Sequence, residues 1–119
     1  MASSYSTDLK LEIMVTGEKA GLWGDITNTN LVILQQSIAG FQQVALNATT
    51  GAALAFTNAA VSNGKNAVIE LTGTITGNVD VTIPSTVTNK VYIIKNSTSG
   101  AFSVTVKVTG QTGVTFSAT

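Results

Sequence analysis

In the stretch from Phe102 to Val108 the apolar residues Phe102, Val104, Val106 and Val108 take every second place, with Ser103, Thr105 and Lys107 between them. A period of two is that of an extended strand with one face buried and the other in water. Ala67 to Leu71 and Val79 to Ile83 read the same way, and Phe41 to Leu46 and Ala53 to Thr57 do so less regularly. Val91-Tyr-Ile-Ile94 is a continuous apolar run, which predicts a strand covered on both faces. Turn signals stand between these segments at Asn47-Ala-Thr-Thr-Gly51, Thr76-Gly-Asn78, Pro84-Ser85, Lys95 to Gly100 and Thr109 to Gly113. Short strands roughly 10–12 residues apart, separated by such turns, predict a mostly-β fold, an antiparallel β-sandwich or partial barrel. Pro84 ends a strand rather than interrupting one. We find no internal repeat of fixed period in the sequence.

The residues before Gly40 read differently. Met1 to Asp8 are small and polar and predict an extended N-terminal arm, ordered by a neighbour. Leu9, Leu11, Ile13 and Val15 alternate with Lys10, Glu12, Met14 and Thr16, as in a strand with one buried face. Gly17 to Asn30 is a glycine-punctuated loop that holds the single Trp, Trp23. Leu31, Leu34 and Ile38 then fall at helical spacing, with Asp25, Thr27 or Thr29 available as a cap and Gly40 at the C′ position. This predicts one short α-helix over about residues 29–39. The length of 119 residues suits one domain, which we place at residues 9–119 behind the arm of residues 1–8.

Charged residues are 10% of the chain, against roughly 25% in ordinary soluble domains. The surface must therefore be built largely from Thr, Ser, Asn, Gln and Gly. With a formal net charge of zero, little keeps copies of the chain apart, which suits a subunit inside an assembly. The alternative is a monomer solubilised by hydroxyls and amides. All six basic residues are Lys, and without Arg or a basic patch we expect no nucleic-acid binding. No apolar run reaches the ~18 residues of a membrane span, and Met1 to Asp8 lack the features of an export signal, so we expect no membrane partner.

Zero His and zero Cys leave neither the commonest general base nor the usual metal ligands. The carboxylates Asp8, Glu12, Glu18, Asp25, Glu70 and Asp80 are scattered, and Glu12, Glu70 and Asp80 alternate with apolar neighbours as a solvated strand face would. Glu18 and Asp25 flank Trp23, where a helix cap or loop organiser is the simpler role for the Asp. Gly17, Gly21 and Gly24 match neither the dinucleotide fingerprint nor the phosphate loop. We expect no enzyme, and no catalytic, cofactor-binding or metal-binding residues. Asn47-Ala-Thr49 and Asn96-Ser-Thr98 are sequons of the kind a Thr- and Asn-rich chain contains by chance. Trp23 fits either a local core over the sheet edge or an anchor at a protein interface.

Ser3 to Glu12, followed by Thr16-Gly-Glu-Lys-Ala-Gly-Leu-Trp-Gly-Asp-Ile-Thr-Asn-Thr-Asn-Leu31, resembles the N-terminal region of tail fibre and tailspike proteins of bacteriophages of marine and freshwater bacteria, cyanophages among them. The pattern there is T-G-x-x-x-G-x-W-G-x-x-T-N-x-N-L. The similarity continues through Asn66 to Gly73 and Val91 to Thr98 to Val104-Thr-Val-Lys107. Leu22 departs from it, standing where a small polar residue is expected. The chain also stops at Thr119, where relatives continue. The resemblance implies a structural virion protein: a homotrimeric domain, assembled in the bacterial cytoplasm, that anchors a longer fibre or spike to tail, adaptor, nozzle or baseplate proteins. On that reading Leu31, Leu34 and Ile38 line the three-fold axis, while Tyr5, Trp23 and Asp25 belong to the interface with the tail. Two further readings are a small capsid decoration or minor baseplate protein, and a carbohydrate-binding β-sandwich. Against the last, aromatic residues are only 6% and do not cluster.

Overall fold

The computed structural model describes residues 3–86 and 89–118. Met1 and Ala2 of the predicted arm therefore lie outside the described residues. In chain order the elements are β1 (Ser4–Tyr5), β2 (Glu12–Ile13), α1 (Trp23–Ala39), β3 (Phe41–Ala45), β4 (Ala52–Ala53), a 3-10 turn (Asn63–Lys65), β5 (Val68–Thr72), β6 (Val79–Ile83), β7 (Ile93–Asn96), β8 (Val104–Val108) and β9 (Gly113–Phe116). The chain is mostly strand with one α-helix among the described residues, as its patterning predicts.

Two sheets, β3-β5-β7 and β4-β6-β8-β9, contribute to a single core. Within them the strand direction differs from the antiparallel expectation. The β3–β5, β5–β7, β4–β6 and β6–β8 pairs are all parallel, and only β8–β9 and the small β1–β2 hairpin are antiparallel. The reason is topological. Each strand of the first sheet leads into a strand of the second, and the chain returns to the first sheet only after a full circuit, now running the same way. Phe41 pairs with Val68 after one circuit, and Val68 pairs with Ile93 after the next. In the second sheet Val79 pairs with Val104 in the same manner. The segments 41–53, 68–83 and 93–108 are thus three stacked coils of a short β-solenoid, so a repeat exists that residue identities do not display.

Inside the coils Val44, Ile69, Leu71, Val81 and Val104 form one buried core with Leu46, Leu54, Ile75, Val79 and Ile83. Burial of such side chains contributes about 1.5–3 kcal/mol each. The ladder of backbone bonds continues around the corners, from Leu46 N–H to the Thr72 carbonyl (2.9 Å) and from Ile75 N–H to that of Ser99 (2.9 Å). Both sequon asparagines are corner pieces. Asn47 Oδ1 accepts the Thr49 and Thr50 amides, and Asn96 Oδ1 accepts the amide and hydroxyl of Thr98, which closes local turns.

Three further expectations are corrected. The predicted strand over residues 9–16 is only Glu12–Ile13, because Lys10 turns back at φ 56 and the Ser6 carbonyl accepts its amide. The first leg of the resulting hairpin is β1, so the described part of the arm folds back upon the chain rather than extending away from it. The apolar run at Val91 to Ile94 is not covered on both faces: Val91 and Ile93 are exposed, and β7 lies at a sheet edge.

Gly100, at φ 113, sits so close to the preceding coil that a Cβ would be driven into the Ile75 carbonyl oxygen. Replacing Gly100 by Ala is expected to lower the unfolding free energy by about 2 kcal/mol or more. Gly77 has open space around it, and its replacement by Ala should change stability by less than about 0.5 kcal/mol, both measured by urea denaturation at one protein concentration.

Candidate interaction surface

The helix α1 begins well before the predicted start, at Trp23 rather than about residue 29. Left-handed turns at Lys19 (φ 61) and Gly21 (φ 79) reverse the chain, and Leu22 takes the N-cap place without a side-chain bond. Asp25 consequently lies in the first turn of the helix, where a negative charge is favourable, and does not act as the cap. At the other end Gly40 is required by proximity, not by a left-handed backbone. Its φ is −73, and a Cβ there would run into the Gln36 carbonyl and the Asn66 side chain.

Successive steps of about 100° place Trp23, Thr27, Leu31, Leu34 and Ile38 within an arc of about 80° along α1. Ile33, on another side of the helix, is fully buried. The stripe that carries Trp23, Leu31 and Ile38 faces water: these three are 61%, 57% and 79% exposed, and Leu34 among them is half-buried. From Thr27 onward its spacing alternates four, three and four residues, the pattern of a helix seam that packs against helices of the same kind. Four of the six residues expected at an interface are therefore gathered on one surface. Asp25, the one charged residue of α1, lies off that stripe, and Tyr5 stands on β1, half exposed.

The N-terminal hairpin is fastened to α1 through Asn30. Its side-chain oxygen accepts the Glu12 amide and its NH2 group donates to the Glu12 carbonyl, both at 3.0 Å, as a neighbouring strand would. Glu18 closes the loop ahead of the helix by accepting the Ser3 hydroxyl (2.6 Å) and the Val15 amide (2.9 Å), which hold its carboxyl below the usual range. Thus the chain is tied down on both sides of Gly21-Leu-Trp-Gly24 while the indole stays accessible.

On a different side of α1, about 100° round from the stripe, lies a second exposed group that no periodic signal announces, Val32, Phe41 and Val61, which borders a cavity of about 350 Å³ between α1 and the loop after β4. That loop is held by a buried lysine. Lys65 has no exposed surface, donates to the carbonyls of Thr57 (2.5 Å) and Ala60 (2.6 Å), and lies 5.4 Å from the centre of the Phe56 ring. Nothing in Asn63-Gly-Lys-Asn66 marks this lysine as internal; only the tertiary fold covers it.

The carboxylates are dispersed over structural pairs. Glu70 meets Lys95 at 2.9 Å and accepts the Gln43 amide at 2.7 Å, Asp80 meets Lys107 at 3.2 Å, and Glu12 meets Lys19 at 3.6 Å. No group of three potential metal ligands occurs among the described residues, and no helix is long and apolar enough to cross a membrane among them. Comparisons with known protein families, curated proteins and solved structures found no match to this chain.

Burial, and secondarily the Lys10 charge, push the Lys65 ammonium down to about 8, against the opposing pull of its two carbonyl acceptors. Between about pH 8 and the ordinary lysine value the unfolded chain binds more protons than the folded one, so stability rises with pH in that window and is flat in this respect below it. Relative to Lys65→Met, the wild-type protein should gain about 2 kcal/mol between pH 7 and pH 9.5, measured by denaturant unfolding.

Proposed function

We propose that this chain is a non-enzymatic structural module that assembles about a three-fold axis through α1 and serves as the root of a phage tail fibre or tailspike in the virion. The observation that carries the reading is the uncharged stripe of Leu31, Leu34 and Ile38, open to solvent and at seam spacing, on a helix that buries Ile33 on another side. A second copy is its natural cover. The stripe contains no charge that would select a different partner, and the surface as a whole carries too few charges to keep copies apart.

A helix of 17 residues is too short to hold a coiled coil alone, so contacts beyond α1 must add to the assembly. Trp23, at the N-terminal end of the stripe, would grip a tail protein, as the resemblance of the segment around it to fibre roots implies. Large exposed aromatics are the residues that most often dominate such contacts.

Sedimentation velocity tests the assembly. The wild-type protein should sediment as a trimer at about 100 µM, and Leu31→Glu combined with Ile38→Asp should sediment as a monomer with an unchanged far-ultraviolet spectrum, since two buried carboxylates per chain in an apolar seam outweigh a few kcal/mol of packing. A monomeric wild-type protein would remove the reading. Attachment is tested separately by incorporation of Trp23→Ala into virions, which should fall while the trimer persists.

A further inference from the structure

We infer that the far end of the solenoid is a strand-docking site for an extended segment of a different protein, apolar at alternate positions and acidic between them. The inference does not depend on the trimer reading, since it concerns the end of the coils and not α1.

In the second sheet β9 folds back antiparallel under β8 and covers that edge. Among the described residues no strand covers the matching edge of the first sheet. There β7 is the edge strand, its amides at Ile93 and Ser97 bonded to the β5 side, and alternation turns those of Ile94 and Asn96 toward the open side. Between this free edge and β9 lies a groove of about 270 Å³ lined by Ile83, Tyr92, Ile94, Val106, Val114 and Phe116. It is the surface on which a fourth coil would rest. An extended strand laid parallel to β7 would complete the backbone ladder and turn every second side chain into the groove.

Charge selects the occupant. On the outer face the coils carry a ladder of residues in register: Gln43, then Glu70, then Lys95. Glu70 is satisfied from both sides, by the Gln43 amide and by Lys95. Lys95 ends the ladder, 68% exposed, with a neighbour on only one side, so the next place in register calls for a carboxylate. The same lysine disfavours the identical edge of a second copy, because like charges would be brought together. The opposite edge strand β3 would bring only the uncharged Gln43 into register with Lys95.

A synthetic peptide with the β5 sequence Ala-Val-Ile-Glu-Leu-Thr, carried on polar tails, is the probe, with a counterpart in which Lys replaces its Glu. Amide hydrogen exchange of Ile94 and Asn96 is read in the wild-type protein and in the variant with both Leu31→Glu and Ile38→Asp, so that assembly through α1 does not enter. The Glu peptide should slow exchange at these two amides, and the Lys peptide should bind about fivefold or more weakly. Val114→Lys, at a position already 71% exposed, should block the groove and abolish the protection without unfolding the chain. Lys95→Gln should bind both peptides alike. No protection at about 1 mM peptide, or equal protection by both peptides in the wild-type protein, overturns the inference. So does protection that grows with protein concentration in the absence of peptide, which would make a second copy the occupant.

Discussion

The in-register parallel stacking of one coil upon the next is the constraint from which the rest of this structure follows. Each circuit supplies the backbone partners of its neighbour and closes the core from above or below. A substitution at a corner therefore acts on two coils at once. At Gly51 and Gly100 a neighbouring coil comes so close that a side chain cannot be placed, and both take positive φ. The helix is joined to this stack at one point of convergence: the Gln36 carbonyl accepts the amides of Gly40 and Ala67, so the end of α1 is bonded to the starts of the first and second coils. The orientation of the exposed stripe is thereby fixed by the solenoid and not by the helix's own weak propensity.

Much of the strand content is legible in the sequence because alternation is a local property. Val79–Ile83 occupies the predicted strand, and Val104–Val108 and Val68–Thr72 lie within a residue or two of theirs. Pairing direction is not legible, since a parallel coil and an antiparallel hairpin place the same alternating residues on the same faces. Two effects hide the repeat. The circuit from Phe41 to Val68 is longer than the one from Val68 to Ile93, and equivalent inward places hold Val44, Leu71 and Asn96, which share position but not chemistry. The start of α1 escapes a sequence reading because Gly, Thr and Asn between Gly24 and Asn30 are weak helix formers, and burial of Ile33 and the Asn30 clasp on Glu12 override them.

The candidate surface is legible in part for the same reason. Helical spacing alone joins Leu31, Leu34 and Ile38, and the earlier start of the helix adds Trp23 to the same side. Tyr5 and Asp25 have no such periodic signal, and the fold leaves them elsewhere. The apolar end groove is foreshadowed by Val91-Tyr-Ile-Ile94, although that run alone argues for a strand doubly covered within its own fold. A continuous apolar segment is equally the mark of a strand whose second cover is supplied by another chain.

Scarcity of charge gives the remaining charges unusual weight in deciding how such a molecule assembles. The Glu70–Lys95 and Asp80–Lys107 pairs tie successive coils along the outer faces, where solvent screening leaves such pairs little weight in stability. Their larger effect is on register: shifting one coil by a single residue would turn Glu70 inward and Leu71 outward. The helix stripe, by contrast, has no charge, so in the proposed assembly the alignment of copies would rest on side-chain shape and on the contacts around it. A chain built in this way separates two tasks. On the proposals made above, charge would select what stacks along the solenoid, and apolar shape what packs against its helix.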